Sequence, residues 1–293
     1  MRFLLLIITN LAVSLLLGIV FFGLEMTGLL PSGQWGYLFV SAVVFGFGGS
    51  FVSLLLSKVI AKWSLGVHVI TQPQNETEYW LLETVRQHAA RAGIGMPEVG
   101  LYDSPDPNAF ATGWSRDSSL VAVSTGLMRV MGPEQVSAVL GHEVAHVANG
   151  DMVTLTLLQG VLNTFVIFFS RVIAFALDAA LSRRGDNDAP RHTGGIFYGI
   201  VSMVLQIVLG IGASMVVAWF SRWREFRADA GGAQLTSPHA MAGALNALRQ
   251  VSEEADLPKG MAAFGIHGGG IMRLFASHPP LEERIARLMN PPR

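Results

Sequence analysis

The chain has 293 residues, of which 51% are apolar and only 14% charged, with a mean hydropathy of +0.45. A soluble domain carries about 25% charged residues, so an ordinary soluble globule is excluded. The formal net charge of −1 leaves no electrostatic footprint for nucleic acid, and the absence of cysteine excludes disulfides, thiolate nucleophiles and Cys-ligated zinc.

Residues 3 to 24 form an uncharged run long enough to cross a bilayer, which takes about 20 residues. A cleaved signal peptide is the alternative; its apolar core would be shorter, and no clear small-x-small cleavage site follows. A polar break at Glu25, Pro31, Ser32 and Gln34 precedes a second uncharged run, from about Trp35 to Ser57. Lys58 and Lys62 end that run, so the positive-inside rule puts the amino terminus and the residues after 58 in the cytoplasm.

Residues 64 to 150 read as water-soluble. A capping box at Asn75 to Glu78 opens a helix, which Gly93 and Gly95-Met96-Pro97 stop. Short strands are expected at Val99 to Tyr102, Asn108 to Gly113 and Leu120 to Ser124. The last two are joined through Ser115-Arg116-Asp117-Ser118 as a hairpin. An edge strand there could hold an extended peptide by strand addition, or serve only as scaffold.

Pro133 and Glu134 start the next helix, and Asn149-Gly150 stops it. It contains His142-Glu143-Val144-Ala145-His146. At a spacing of four, both imidazoles project from one helix face and can hold one metal ion. Glu143 lies about 100° further round, within reach of a water at the metal without being a ligand. That arrangement suits a hydrolase in which a carboxylate takes the proton of an attacking water. Two solvated histidines on a surface helix would be the bland alternative, but Val136, Val139, Leu140 and Val147 give this helix a buried side.

A third apolar run, Met152 to Leu177, carries the single charge Arg171, and a fourth goes from about Ile196 to Phe220. Both are long enough to span. A hairpin folded back into a hydrophobic pocket is the alternative, and Arg171 favours it because a charge at mid-membrane is costly. The loop between them holds three arginines on what would be the outer side, a departure from the positive-inside pattern.

Just past the fourth run stands Arg224-Glu225-Phe226-Arg227-Ala228-Asp229. Glu225 is the candidate third ligand, and Asp229, four residues on, would accept the free N–H of a ligand histidine. Two crossings separate His146 from Glu225, so all three proposed ligands return to one membrane face. Arg222, Arg224 and Arg227 mark that face as cytoplasmic. Near the end, His278-Pro279-Pro280 precedes a helix that carries Arg284.

Taken together, His142-Glu143-Val144-Ala145-His146, Asn149-Gly150-Asp151, Glu225 to Asp229, His278-Pro279-Pro280 and Asn108 to Gly113 resemble the HtpX family of bacterial membrane zinc proteases, relatives of the C-a-a-X prenyl proteases. The resemblance implies one Zn2+ per chain, held by His142, His146 and Glu225, with Glu143 as catalytic base. By similarity, Asn108, His278 and Arg284 contact substrate or the developing oxyanion. The implied fold is an α-helical integral membrane protein with about four transmembrane helices and a zincin-like α+β cytoplasmic catalytic domain. Residues 1–57 and 152–221 form the two helix pairs, and 58–151 with 222–293 form the catalytic part. The implied setting is the bacterial inner membrane, the catalytic site facing the cytoplasm, and the implied partners are misfolded membrane proteins and the lipid bilayer. Rival functions are a prenyl-protein C-a-a-X peptidase, a transporter and a non-catalytic metal-binding scaffold.

Overall fold

The computed structural model describes residues 35–182, 196–254 and 274–290. The first apolar run and residues 183–195 of the loop between the third and fourth runs lie outside the described residues. The chain divides into two compact units: one holds the residues up to Val52 and Thr156–Val216, the other Ser53–Leu155 and the residues from Val217 on.

In the first unit, α1 (Trp35–Val43) continues through a π-helical turn (Val44–Gly48) into α2 (Gly49–Leu65), whose residues from Ser53 on belong to the second unit. The π turn meets α6 (Asp151–Ser182) at Thr164. A Cβ added at Gly46 would lie 2.6 Å from the backbone nitrogen of Thr164, so only glycine permits this approach. Small residues at such contacts let apolar helices pack closely where no hydrophobic force separates protein from lipid. Asn163 donates to Ser50 Oγ (3.4 Å), and the Arg171 guanidinium bonds the Ser41 hydroxyl. The mid-run charge is therefore met by a polar partner.

Among the described residues, three helical stretches are long and apolar enough to cross a membrane: Phe39–Leu65, Asp151–Leu181 and Ile196–Leu235. The last lies within α7 (Ile196–Leu235), one unbroken 40-residue helix that runs from the fourth apolar run through Glu225 and Asp229. Only 11% of its most apolar window is buried, which does not fit a helix folded back into a protein pocket. The chain is a membrane protein.

The second unit carries a four-stranded sheet in the order β1 (His68–Val69), β2 (Glu98–Tyr102), β4 (Ser118–Ser124), β3 (Ala109–Ser115). The β2–β4 pair is parallel and the outer pairs are antiparallel. Strands two to four and their hairpin fall where the sequence places them; the two-residue β1 is too short to leave a periodic signal. Helix α3 (Glu76–Ala92) begins at the expected cap, with Asn75 Oδ1 accepting from the Glu78 N–H (2.8 Å), and ends on left-handed Gly93. After β4 come α4 (Thr125–Val130) and α5 (Pro133–Asn149), the latter closed by left-handed Gly150. Then α8 (Pro238–Glu254) and α9 (Leu281–Met289) complete the unit. Val85, Val121, Val123, Val136, Leu140, Met241 and Leu245 form its core, onto which Leu281, Ile285 and Leu288 of α9 pack. Helix α5 is thereby wedged between α3, α8 and edge strand β3.

Candidate metal centre

Helix α5 supplies His142 and His146, four residues apart on its face toward α7. Two glycines bring α7 close enough to answer them. A Cβ at Gly231 would lie 2.6 Å from Ala145 Cβ, and one at Gly232 would lie 3.0 Å from the His142 nitrogen. At that separation Glu225, two turns earlier on α7, faces both imidazoles.

The distances form a triangle. His142 Nε2 is 3.1 Å from His146 Nε2 and 3.5 Å from Glu225 Oε2, while His146 Nε2 is 3.3 Å from Glu225 Oε1. For a tetrahedral ion bound at ~2.05 Å, ligand atoms stand about 3.3 Å apart. Tautomers sharpen the point. His142 Nδ1 lies 3.0 Å from Asp229 Oδ1, off the ideal hydrogen-bond line but close enough for the carboxylate to keep a proton on that nitrogen. His146 Nδ1 lies 2.6 Å from Asp151 Oδ2. With both Nδ1 atoms protonated, the Nε2 lone pairs point at each other and at a carboxylate, an arrangement that a bound metal ion relieves. These residues fit a metal ion of zinc's size and ligand taste.

The surrounding charges are buried and matched. Arg224, on α7, donates from Nη1 to the Asp151 carbonyl (2.5 Å), and its Nη2 is ion-paired with Asp151 Oδ1 at 2.5 Å. Arg284 of α9 places Nε and Nη2 on the two oxygens of Asp229 (2.8 and 2.6 Å) and Nη1 3.2 Å from Glu225 Oε2. Burial works against the charge on Arg284, but the Asp229 and Glu225 carboxylates outweigh it and hold its pKa above the usual value. Burial likewise opposes a proton on His142, and Asp229 and Glu225 again prevail, raising its pKa when no metal competes.

Glu143 is 9% exposed and has no hydrogen bond or ion pair among the described residues. Its carboxylate is uncommitted. His278 is the open side of the cluster: its side chain is 47% exposed and Nδ1 lies 2.9 Å from Glu225 Oε2. The segment that carries it is held by Arg222, which donates to the carbonyls of Ala276 (2.6 Å) and Leu274 (3.3 Å).

Thus His142, His146, Glu225, Asp229, His278 and Arg284 converge. Arg284 sits behind the ligands, only 6% exposed, rather than where a substrate would touch it. Asn108 stands at the start of β3, where its N–H donates to Ser124 Oγ (2.9 Å), and among the described residues it bonds no member of the ligand group. The sequence alone gives Asp151 and Arg224 no role at the metal. The signal was present for Asp151, which follows the Gly150 stop and so turns back toward His146.

Two histidines and a carboxylate that could hold one metal ion, with a glutamate beside the first histidine, match the H-E-x-x-H pattern of metallopeptidases. The comparisons agree. A family model described as Peptidase family M48 matches residues 75–291. Protease HtpX of Xanthomonas euvesicatoria pv. vesicatoria (strain 85-10) is 56% identical over 290 residues, covering 98% of this chain and 96% of the relative. Protease HtpX of Thioalkalivibrio sulfidiphilus (strain HL-EbGR7) is 54% identical over 294 residues, 98% of each. The chain belongs to peptidase family M48, among the HtpX proteases. In fold it is similar to the crystal structure of S. mikatae Ste24p, with a TM-score of 0.60 at 19% identity over 97% of this chain. It spans 66% of that protein's length.

Proposed function

We propose that this metallopeptidase is a zinc-dependent endopeptidase of the bacterial inner membrane that cleaves damaged or misfolded membrane proteins on the cytoplasmic side. The observation that carries the reading is the triangle of His142, His146 and Glu225, its edges of 3.1 to 3.5 Å matched to one tetrahedral ion, with uncommitted Glu143 beside it. When bound, zinc supplies Lewis acidity, lowering the pKa of water and polarising a peptide carbonyl.

The chain's own residues do the rest. Glu143 takes the proton of the attacking water and passes it to the departing amine. Asp229 and Asp151 keep protons on the two Nδ1 atoms, so both Nε2 atoms present lone pairs to the metal. Arg284 positions Asp229 by two donors and balances the charge of Glu225. His278, exposed at the rim, is the donor for the oxyanion, a contribution of about 3 kcal/mol when such a donor is well placed. Strand β3, at the edge of the sheet and against α5, takes an extended polypeptide by strand addition, with Asn108 at its start. Arg222, Arg224 and Arg227 favour a cytoplasmic site by the positive-inside rule.

The test is digestion of a purified, unfolded membrane protein by the full chain in detergent. Cleavage should stop on chelation and return with one equivalent of Zn2+. Cleavage that survives chelation would refute the reading, and stoichiometric metal binding without cleavage would leave a scaffold.

A further inference from the structure

Helix α2 carries an apolar stripe past the point where it meets the sheet. Leu56, Val59, Ile60 and Trp63 recur at spacings of three and four on one face. All are exposed, Trp63 by 87%. On the neighbouring face, Lys58 Nζ bonds Glu98 Oε1 (2.8 Å) and Ser118 Oγ (3.3 Å), and Lys62 pairs with the other oxygen of Glu98. These lysines are committed to the protein rather than to water, and the apolar stripe beside them runs about 7.5 Å further along the helix, five residues at 1.5 Å each. On the end of a membrane-length helix, lipid is what covers such a stripe, with the terminal tryptophan in the interfacial belt. The end of the sheet that Lys58 grips therefore lies at the depth of the bilayer surface.

Ser118 is the first residue of β4 and pairs with Ser115, so that gripped end is the tip of the β3–β4 hairpin. The ladder shifts register between Gly113 and Ser115. Gly113 holds φ at 137°, a conformation other residues avoid, and a Cβ there would meet the Ser118 carbonyl oxygen at 2.3 Å. Trp114, in the bulge, is 44% exposed, and Arg116 is exposed with no ion pair among the described residues. The one acid at the tip, Asp117, is tied back by the Gly95 N–H (3.1 Å). A tryptophan and an unpaired arginine at bilayer depth match the interface, the ring at headgroup level and the guanidinium on lipid phosphate.

We infer that the β3–β4 hairpin tip, through Trp114 and Arg116, rests on the phospholipid headgroups of the bilayer. Strand β3 would then be presented to polypeptide as it leaves the lipid. This rests on the membrane reading of α2 and not on proteolysis.

The chain has no cysteine, so single labels carry no background. Full-length protein in the Glu143→Gln background receives Trp63→Cys, Trp114→Cys, Arg116→Cys or Arg129→Cys. Each variant is labelled with a fluorophore and reconstituted in phosphatidylcholine–phosphatidylglycerol vesicles, with or without a headgroup-nitroxide lipid. Exposed Arg129 serves as the distant control, beyond the far end of β4, about 20 Å from the tip. Labels at 114 and 116 should be quenched as strongly as the label at 63 and several-fold more than the label at 129. Two positions guard against one variant misfolding. Tip labels unquenched while 63 is quenched overturn the inference, as does tip shielding only when an unfolded polypeptide is added. An unquenched label at 63 overturns its premise. The assay needs no cleavage, so its failure is distinct from failure of the peptidase reading.

Discussion

A single methyl group at the seam between α5 and α7 tests how the metal centre is assembled. In Gly231→Ala the new Cβ would lie 2.6 Å from Ala145 Cβ, against ~3.5–4.0 Å for carbon atoms in contact. Neither atom ends a flexible side chain, so the helices must part by about 1 Å. The ligand edges that cross the seam, 3.3 and 3.5 Å, would widen with them, whereas a zinc site tolerates roughly 0.2 Å. Helix preference runs the other way, alanine being favoured over glycine by about 0.8–1.0 kcal/mol. Overpacking costs about 1–3 kcal/mol, so the metal-free variant should lose between roughly 0 and 2 kcal/mol. Zinc affinity should fall on the order of tenfold, comparable to losing an outer partner of a ligand. Competition with a chromophoric chelator in detergent measures the affinity, and denaturant unfolding the stability. Gly243→Ala on α8 is the control, because its Cβ would meet nothing closer than 3.8 Å, and it should bind zinc as the native chain does. Native affinity in Gly231→Ala would refute the claim that close glycine packing sets the ligand geometry.

Two further outcomes follow from named contacts. Asp151→Asn removes the negative charge shared by His146 Nδ1 and buried Arg224 and leaves one acceptor oxygen where the carboxylate offers two; zinc affinity should drop about 10- to 100-fold by the same titration, and the unfolding midpoint should fall. At Glu98, burial favours the neutral acid, but Lys58 and Lys62 outweigh it and lower the pKa. A depressed folded pKa contributes stability above the ordinary value of 4.5 that is lost as pH falls through the folded pKa. Thermal unfolding in detergent should therefore show that acid loss in the native chain and a smaller one in Glu98→Gln.

Local chemistry was readable from the chain; tertiary chemistry was readable only in part. His142 and His146 follow from a four-residue spacing on a helix whose ends are marked by Pro133 and Gly150. The hairpin followed from two short apolar runs around a polar tetrapeptide. Glu225 lies far along the chain but stands in a charged hexapeptide just past an apolar run, which made it visible. Asp151, by contrast, reads as a plain helix start, and its bond to His146 depends on the sharp turn at Gly150. Gly231 and Gly232 sit in a helix that tolerates them silently until α5 is placed against it. Resemblance alone marks Arg284 as a contact to substrate or the developing oxyanion, and a sequence does not show burial; in the fold its donors turn inward to Asp229 and Glu225.

The central claim is that Glu143 performs proton transfer beside a metal held by other residues. Its most direct test pairs metal analysis with proteolysis on the Glu143→Gln variant of the full chain. Proton transfer by Glu143 predicts one equivalent of zinc retained and cleavage of an unfolded membrane protein reduced to the level of the chelated native enzyme. Cleavage near the native rate with zinc in place would contradict it.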